Sequence, residues 1–178
     1  MIRKREVNHM NEKFREIPAE ELGNAIKLIG KDWMLITVKD GDGANAMTAS
    51  WGSLGVLWNK NVCTCFIRPQ RYTYGLAEEH ERMSFAFLPE SYRGALRYCG
   101  SHSGRDSHKL VDSGLSTCNI DGVPVIAEAD TVLICRKLYA DDLKEENFLD
   151  PALLSNYEKK DFHRFYVCEI EKAYAKIK

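Results

Sequence analysis

The sequence predicts a mainly β (α+β) domain, an antiparallel barrel with short helices on its periphery. Three observations carry this. Apolar segments rich in β-branched and aromatic residues recur along the chain; Gly, Pro and Asp punctuate them; and the helical patterns between them are short. At 178 residues the chain is most economically one domain, large enough to bury roughly 70% of its unfolded surface.

Residues 1–16 are polar and read as an arm, or a tail that embraces a second copy, outside a domain spanning 17–178. Pro18 followed by Ala19, Glu20 and Glu21 predicts a helix start, running to Ile29 and ending at Gly30. Trp33–Val38 is a strand, Gly41-Asp42-Gly43 a turn, and Met47–Trp51 resumes extended chain. Val62–Ile67 is a second strand, stopped by Pro69. A helix over Arg71–His80 follows, then a strand over Met83–Leu88. Tyr92–Tyr98 has helical spacing, with Tyr92, Ala95, Leu96 and Cys99 on one face. Asp106–Asp112 is a further short helix, Val123–Ala127 and Asp130–Tyr139 are strands, Pro151–Glu158 is helical, and Phe165–Tyr174 is the last strand.

Composition narrows the function classes. Formal net charge is −1 with both signs interspersed, so the basic stripe of a nucleic-acid binder is missing. No apolar run reaches the ~20 residues that span a bilayer, and the charged N-terminus lacks the apolar segment of a signal peptide. A cytoplasmic protein without membrane or nucleic-acid partners is the expectation. Its six cysteines then read as reduced, buried thiols. Cys63 and Cys65 lie two apart on a strand and so share one face. With no Cys-x-x-Cys, a zinc site is not expected.

The chemistry concentrates in Asn45–Tyr74. Gly41-Asp42-Gly43-Ala44-Asn45-Ala46 matches a loose dinucleotide pattern, but Thr48, Ser50, Gly52, Ser53 and Gly55 make a poor helix, so a hairpin turn is the better reading. Thr48-Ala49-Ser50-Trp51-Gly52-Ser53 is a strand edge followed by a glycine loop. Consecutive small residues there suit a flat ligand packed against the backbone. Main-chain N–H groups in such a segment can meet flavin N5, O4 and O2 and stabilise charge that builds on reduction. Trp51 or Trp58 either covers a ring face or belongs to the core. Arg68-Pro69-Gln70-Arg71-Tyr72-Thr73 passes from strand to helix. It is either a solvated basic turn or the corner that holds a phosphate, with Arg71 and Thr73 supplying charge and hydroxyl. Ser101, Ser103, Gly104, Arg105 and Asp106 form a polar loop, with Lys109 beyond it. Either it caps the following helix or it closes over the ribityl chain and phosphate. His102 and His108 read as surface residues, and His9, His80 and His163 have no partner pattern.

MTASWGSLGVLWNK, RPQRYTY and FLPESYRGALRYCGSHSGRDSHK together resemble the flavin reductase-like family that includes flavoredoxin, most specifically over 29–109 and more loosely to 174. The resemblance implies a Greek-key, FMN-binding split β-barrel, assembled as a homodimer with FMN near the subunit interface. It places Thr48, Ala49, Ser50 and Trp51 beside the flavin and Arg71, Tyr72 and Thr73 at the phosphate. Ser101, Gly104, Arg105, Asp106 and Lys109 fall in the family's SGRD loop. Ser107-His108 departs from it, standing where relatives carry an apolar residue and then Asp. The implied activity is hydride transfer from NADH or NADPH to FMN, with electrons passed to a small-molecule or protein acceptor. No side chain is assigned as catalytic, because the flavin ring carries the chemistry. The alternative is a flavoredoxin-type carrier without nicotinamide-dependent activity of its own.

Overall fold

A computed structural model describes residues 13–177. The strands are β1 (Phe14–Ile17), β2 (Met34–Asp40), β3 (Gly43–Ala49), β4 (Gly52–Leu57), β5 (Lys60–Ile67), β6 (Arg82–Phe87), β7 (Thr117–Ile120), β8 (Val123–Ile126), β9 (Thr131–Asp142) and β10 (Arg164–Lys176). Three α-helices lie among them: α1 (Tyr72–Glu79), α2 (Arg93–Ser101) and α3 (Lys109–Asp112).

One sheet runs β3-β2-β6-β9-β10-β5-β4, with β1 added to β10, and its ladders are all antiparallel. Its two ends, β3 and β4, are separated in the chain only by Ser50 and Trp51. The sheet therefore curls until its edges approach without pairing, which is a split barrel. The period-2 alternation of strands divides the side chains between two cores. Met34, Ile36, Val38, Leu133 and Cys135 fill the barrel interior. Leu35, Val132 and Ile134 point the other way, onto Leu96, Cys99, Val125 and Ile126. Central strands β2 and β9 are thus buried on both faces, which explains their near-continuous apolar runs.

Cys63, Cys65, Cys135 and Cys168 meet inside the barrel, each fully buried, and all six cysteines are free thiols. Burial pushes the Cys63 and Cys135 thiols well up from their ordinary range, so both pack as small apolar groups. Among the described residues no helix is long and apolar enough to cross a membrane.

Four expectations need correction. The 18–29 helix is two short pieces, a 3-10 turn at Ala19–Glu21 and a π-helical stretch at Lys27–Asp32 that runs past Gly30. Its stop is Trp33, at φ 68°, held by Arg93, whose guanidinium lies 4.5 Å from the Trp33 ring and donates to the carbonyls of Lys31 and Asp32. A distant side chain supplies the cap, so local sequence carries no sign of it. The glycine loop after Trp51 is strand β4. Its pairing with β5 overrides the poor propensity of its glycines, and at Gly52 a Cβ would come within 2.6 Å of the Thr64 carbonyl oxygen. The 106–112 helix shrinks to α3, and β7 is an unforeseen hairpin partner of β8 across Asp121-Gly122. The arm expected over 1–16 lies mostly outside the described residues, but its last three residues begin β1, which pairs with β10.

Candidate functional site

The break between β3 and β4 opens a cleft of about 200 Å³ lined by Met47, Thr48, Ala49, Ser50, Trp51, Phe66, Arg68, Arg71 and His163. Five of the twelve sequence-predicted residues stand in its wall: Thr48, Ala49, Ser50, Trp51 and Arg71. Ser50 and Trp51 belong to neither ladder, so their main-chain groups are free to meet something in the cleft. Trp51 is 45% exposed and Trp58 is 55% exposed, so neither is a core residue. Trp51 faces the cleft, its ring 5.1 Å from that of His163, whereas Trp58 sits at the β4–β5 turn beside Tyr139. Beyond Ser50 and Trp51 lies a second, more apolar hollow of about 380 Å³, walled by Ala25, Ile26, Ile29 and Leu54.

At one end of the cleft Arg71 turns into the protein and donates to the carbonyls of Gly100 (2.8 Å) and Cys99 (3.3 Å). These are among the orphan acceptors at the C-terminus of α2, where a cation also complements the helix dipole. Lys109 comes to the same place. It is 3% exposed, and its ammonium has one long bond, 3.4 Å to the His102 carbonyl. Burial, reinforced by the Arg71 charge, pulls its pKa down to about 8. Burial also lowers that of Arg71. Among the described residues neither cation has a carboxylate within ion-pair distance. Two half-satisfied cations sharing a buried corner are costly unless an anion joins them.

Four of the remaining predicted residues, Tyr72, Thr73, Gly104 and Arg105, form a layer behind this corner. Thr73 is buried, and its hydroxyl accepts a 2.7 Å bond from the Asn45 side-chain amide. Tyr72 donates to Asp40 at 3.1 Å, and the Arg105 guanidinium lies over its ring. Gly104 is pressed beneath both groups: a Cβ there would sit 2.3 Å from Asn45 Oδ1 and 2.6 Å from Tyr72 Cδ1. The loop is thereby seated on the start of α1. Ser101 turns back to the carbonyls of its own helix, Arg97 and Tyr98, and Asp106 is exposed. Neither enters the cleft.

Arg68 has a different environment. Its guanidinium pairs with Asp161 at 2.6 Å and donates to the Asn156 carbonyl at 2.9 Å. His163, which had no pattern in the sequence, is 8% exposed in the cleft wall with Nδ1 2.8 Å from the Tyr157 hydroxyl. Burial and then the Arg68 charge bring its pKa down to about 4, so it is neutral at pH 7. The sequence signal for it was thin: one His at the start of the last strand, far in the chain from the segment it faces.

The family model described as "Flavin reductase like domain" matches residues 27–176. Three solved structures show the same fold. An FMN-binding domain of a flavin reductases-like enzyme from Shewanella baltica superposes with a TM-score of 0.66 at 17% identity, covering 91% of this chain and 76% of that one. Flavoredoxin from Methanosarcina acetivorans gives 0.63 at 24% identity, covering 81% and 68%. The NADH:FAD oxidoreductase SgcE6 of Streptomyces globisporus, in complex with NAD and FAD fragments, gives 0.59 at 15%, covering 80% and 73%. No curated protein matches this sequence.

Proposed function

Because the chain belongs to the flavin reductase-like domain family, we propose that it is an FMN-binding oxidoreductase taking electrons from NADH or NADPH and passing them to a small-molecule or protein acceptor. The observation that carries the reading is the corner of half-buried Arg71 and buried Lys109, two cations with no carboxylate at ion-pair distance among the described residues, beside a backbone stripped of bulk at Thr48–Ser50. A phosphorylated flat ligand satisfies both features at once.

In this reading Arg71, already oriented by the α2 carbonyls, and Lys109 hold the phosphate. Thr73 and Asn45 set the first turn of α1 behind them, and Gly104 lets the loop close down. The arriving anion favours the protonated form of Lys109. The main chain of Ser50 and Trp51 faces the ring, and the indole of Trp51 with neutral His163 excludes water from one side. Bound FMN would supply the redox chemistry, accepting hydride and releasing electrons onward.

The same reading includes a cytoplasmic homodimer. Edge strand β4 and its turn present exposed Val56, Leu57 and Trp58 close by, a surface suited to a second copy.

Anaerobic mixing of FMN-loaded protein with NADH or NADPH tests the activity. Bleaching of the oxidised flavin band faster than for free FMN is expected. Bleaching no faster than free FMN removes the reductase reading; a yellow protein reducible only by a partner protein selects the carrier instead. Light scattering on the eluting peak should give twice the 20.3 kDa chain mass.

A further inference from the structure

Four contacts converge on the second half of the long 143–163 connection between β9 and β10, which carries His163 into the cleft. Arg68 Nη1 meets Asp161 Oδ2 at 2.6 Å, and Gln70 Nε2 meets the same oxygen at 2.7 Å. Arg68 Nη2 donates to the Asn156 carbonyl, and the guanidinium lies 5.1 Å from the centre of the Tyr157 ring. Tyr157 in turn engages His163 Nδ1. Arg68 and Gln70 sit at the end of β5, so a residue of the barrel is tied through this segment to the far wall of the cleft.

We propose that Arg68 is a positioning residue: with Gln70 it latches Asp161 and the 3-10 turn Pro151–Tyr157 onto the mouth of the barrel, and so sets His163 opposite Trp51. This inference concerns the wall of the cleft. Its role in turnover rests on the flavin reading, but the latch itself does not. One exposed ion pair contributes little. Here the Arg68 and Asp161 side chains are only 26% and 18% exposed, and the pair is joined by an amide, a backbone carbonyl and a ring face, so the contacts act as one network. The latch consumes the charge of Arg68, which leaves anion binding to Arg71 and Lys109.

The groups that face His163 make the test directional. Tyr157 and Asp161 approach from its own segment, Arg68 and Phe66 from β5, and Trp51 from the β3–β4 break. Burial keeps the imidazole neutral; Arg68 pushes in the same direction and Asp161 against it. If Asp161 acted only through its charge, Asp161→Asn would lower the His163 titration midpoint further. If Asp161 holds the wall shut, the same change lets water reach the ring and raises the midpoint.

The experiment is an NMR titration of the imidazole protons in flavin-free full-length protein, with the His163 signal assigned by its loss in His163→Gln. In Asp161→Asn the midpoint should rise from about 4 toward the ordinary 6.5, and Asp161→Glu should restore the low value. A midpoint that stays at about 4 or falls overturns the latch. So does a Tyr157→Phe variant of unchanged fold that leaves the His163 midpoint and ring-proton shifts as they were. FMN affinity is measured separately on the unmutated protein; its absence there would remove the flavin reading and leave the titration result standing.

Discussion

Arg68 and Arg71 leave the same turn and meet opposite surroundings. Both are half-buried, but Arg68 is paired with Asp161, whereas Arg71 lies against helix carbonyls beside the buried Lys109. In sequence both are arginines of one basic turn that suits a phosphate. The structure separates them by their counter-charges: Arg68 has a carboxylate supplied, whereas Arg71 has none among the described residues, and it is Arg71 that the proposed function gives to the phosphate.

The sharpest break of that contrast is Arg71→Ala combined with Thr73→Ala. Loss of the Arg71 charge-assisted interaction, and of the Thr73 hydroxyl that ties the first turn of α1 to Asn45 behind it, should weaken FMN binding by roughly 100-fold, about 3 kcal/mol, read by quenching of flavin fluorescence. An unchanged dissociation constant would remove the phosphate assignment. On the Arg68 side the expected signature is in stability. His163 titrates at about 4 in the folded chain against an ordinary 6.5, so between those values the unfolded chain takes up a proton that the folded one does not. Stability should therefore be lost as pH falls from about 6.5 to about 4, by as much as about 3 kcal/mol. Urea unfolding of His163→Gln should lose this part of the pH dependence; a slope identical to the parent's would contradict it.

Gly104→Ala tests whether the loop must sit tightly behind the Arg71 corner. Its Cβ meets Asn45 and Tyr72 well inside contact distance, so a cost of about 1–3 kcal/mol and weaker FMN binding are expected. A variant as stable and as avid as the parent would show that the loop opens freely. The smallest effect concerns Lys109, with its pKa near 8. As pH rises through that value the ammonium is lost, and FMN affinity should fall by about tenfold between pH 7.5 and 9.5. Lys109→Met should bind more weakly at pH 7.5 and show a flatter profile; parallel profiles for the two proteins would exclude Lys109 from the phosphate corner.

Apolar segments rich in β-branched and aromatic residues marked β2, β5, β6, β9 and β10, because these strands are buried on one or both faces and their sequences must show it. This signal missed β4, where the turn at Trp58 and Asn59 adopts positive φ at both positions without a glycine to announce it. It also missed β7, although Asp121-Gly122 is a recognisable hairpin signal. In the candidate site, the small residues at 48–50 and the charge of Arg71 were visible as residue types. The seating of Tyr72, Gly104 and Arg105 behind the cleft, and of His163 within it, was not.

By itself the sequence determined the mainly antiparallel β fold and, through its motifs, the family. Alternation, turn residues and short-range spacing are properties of neighbouring positions. Only the tertiary structure decided which of two like arginines has no carboxylate partner among the described residues, and that a lone histidine would face the cleft from the opposite end of the chain. Counter-charge and burial depend on residues distant in sequence, Asp161 for Arg68 and the α2 carbonyls with Lys109 for Arg71, and no local pattern encodes them.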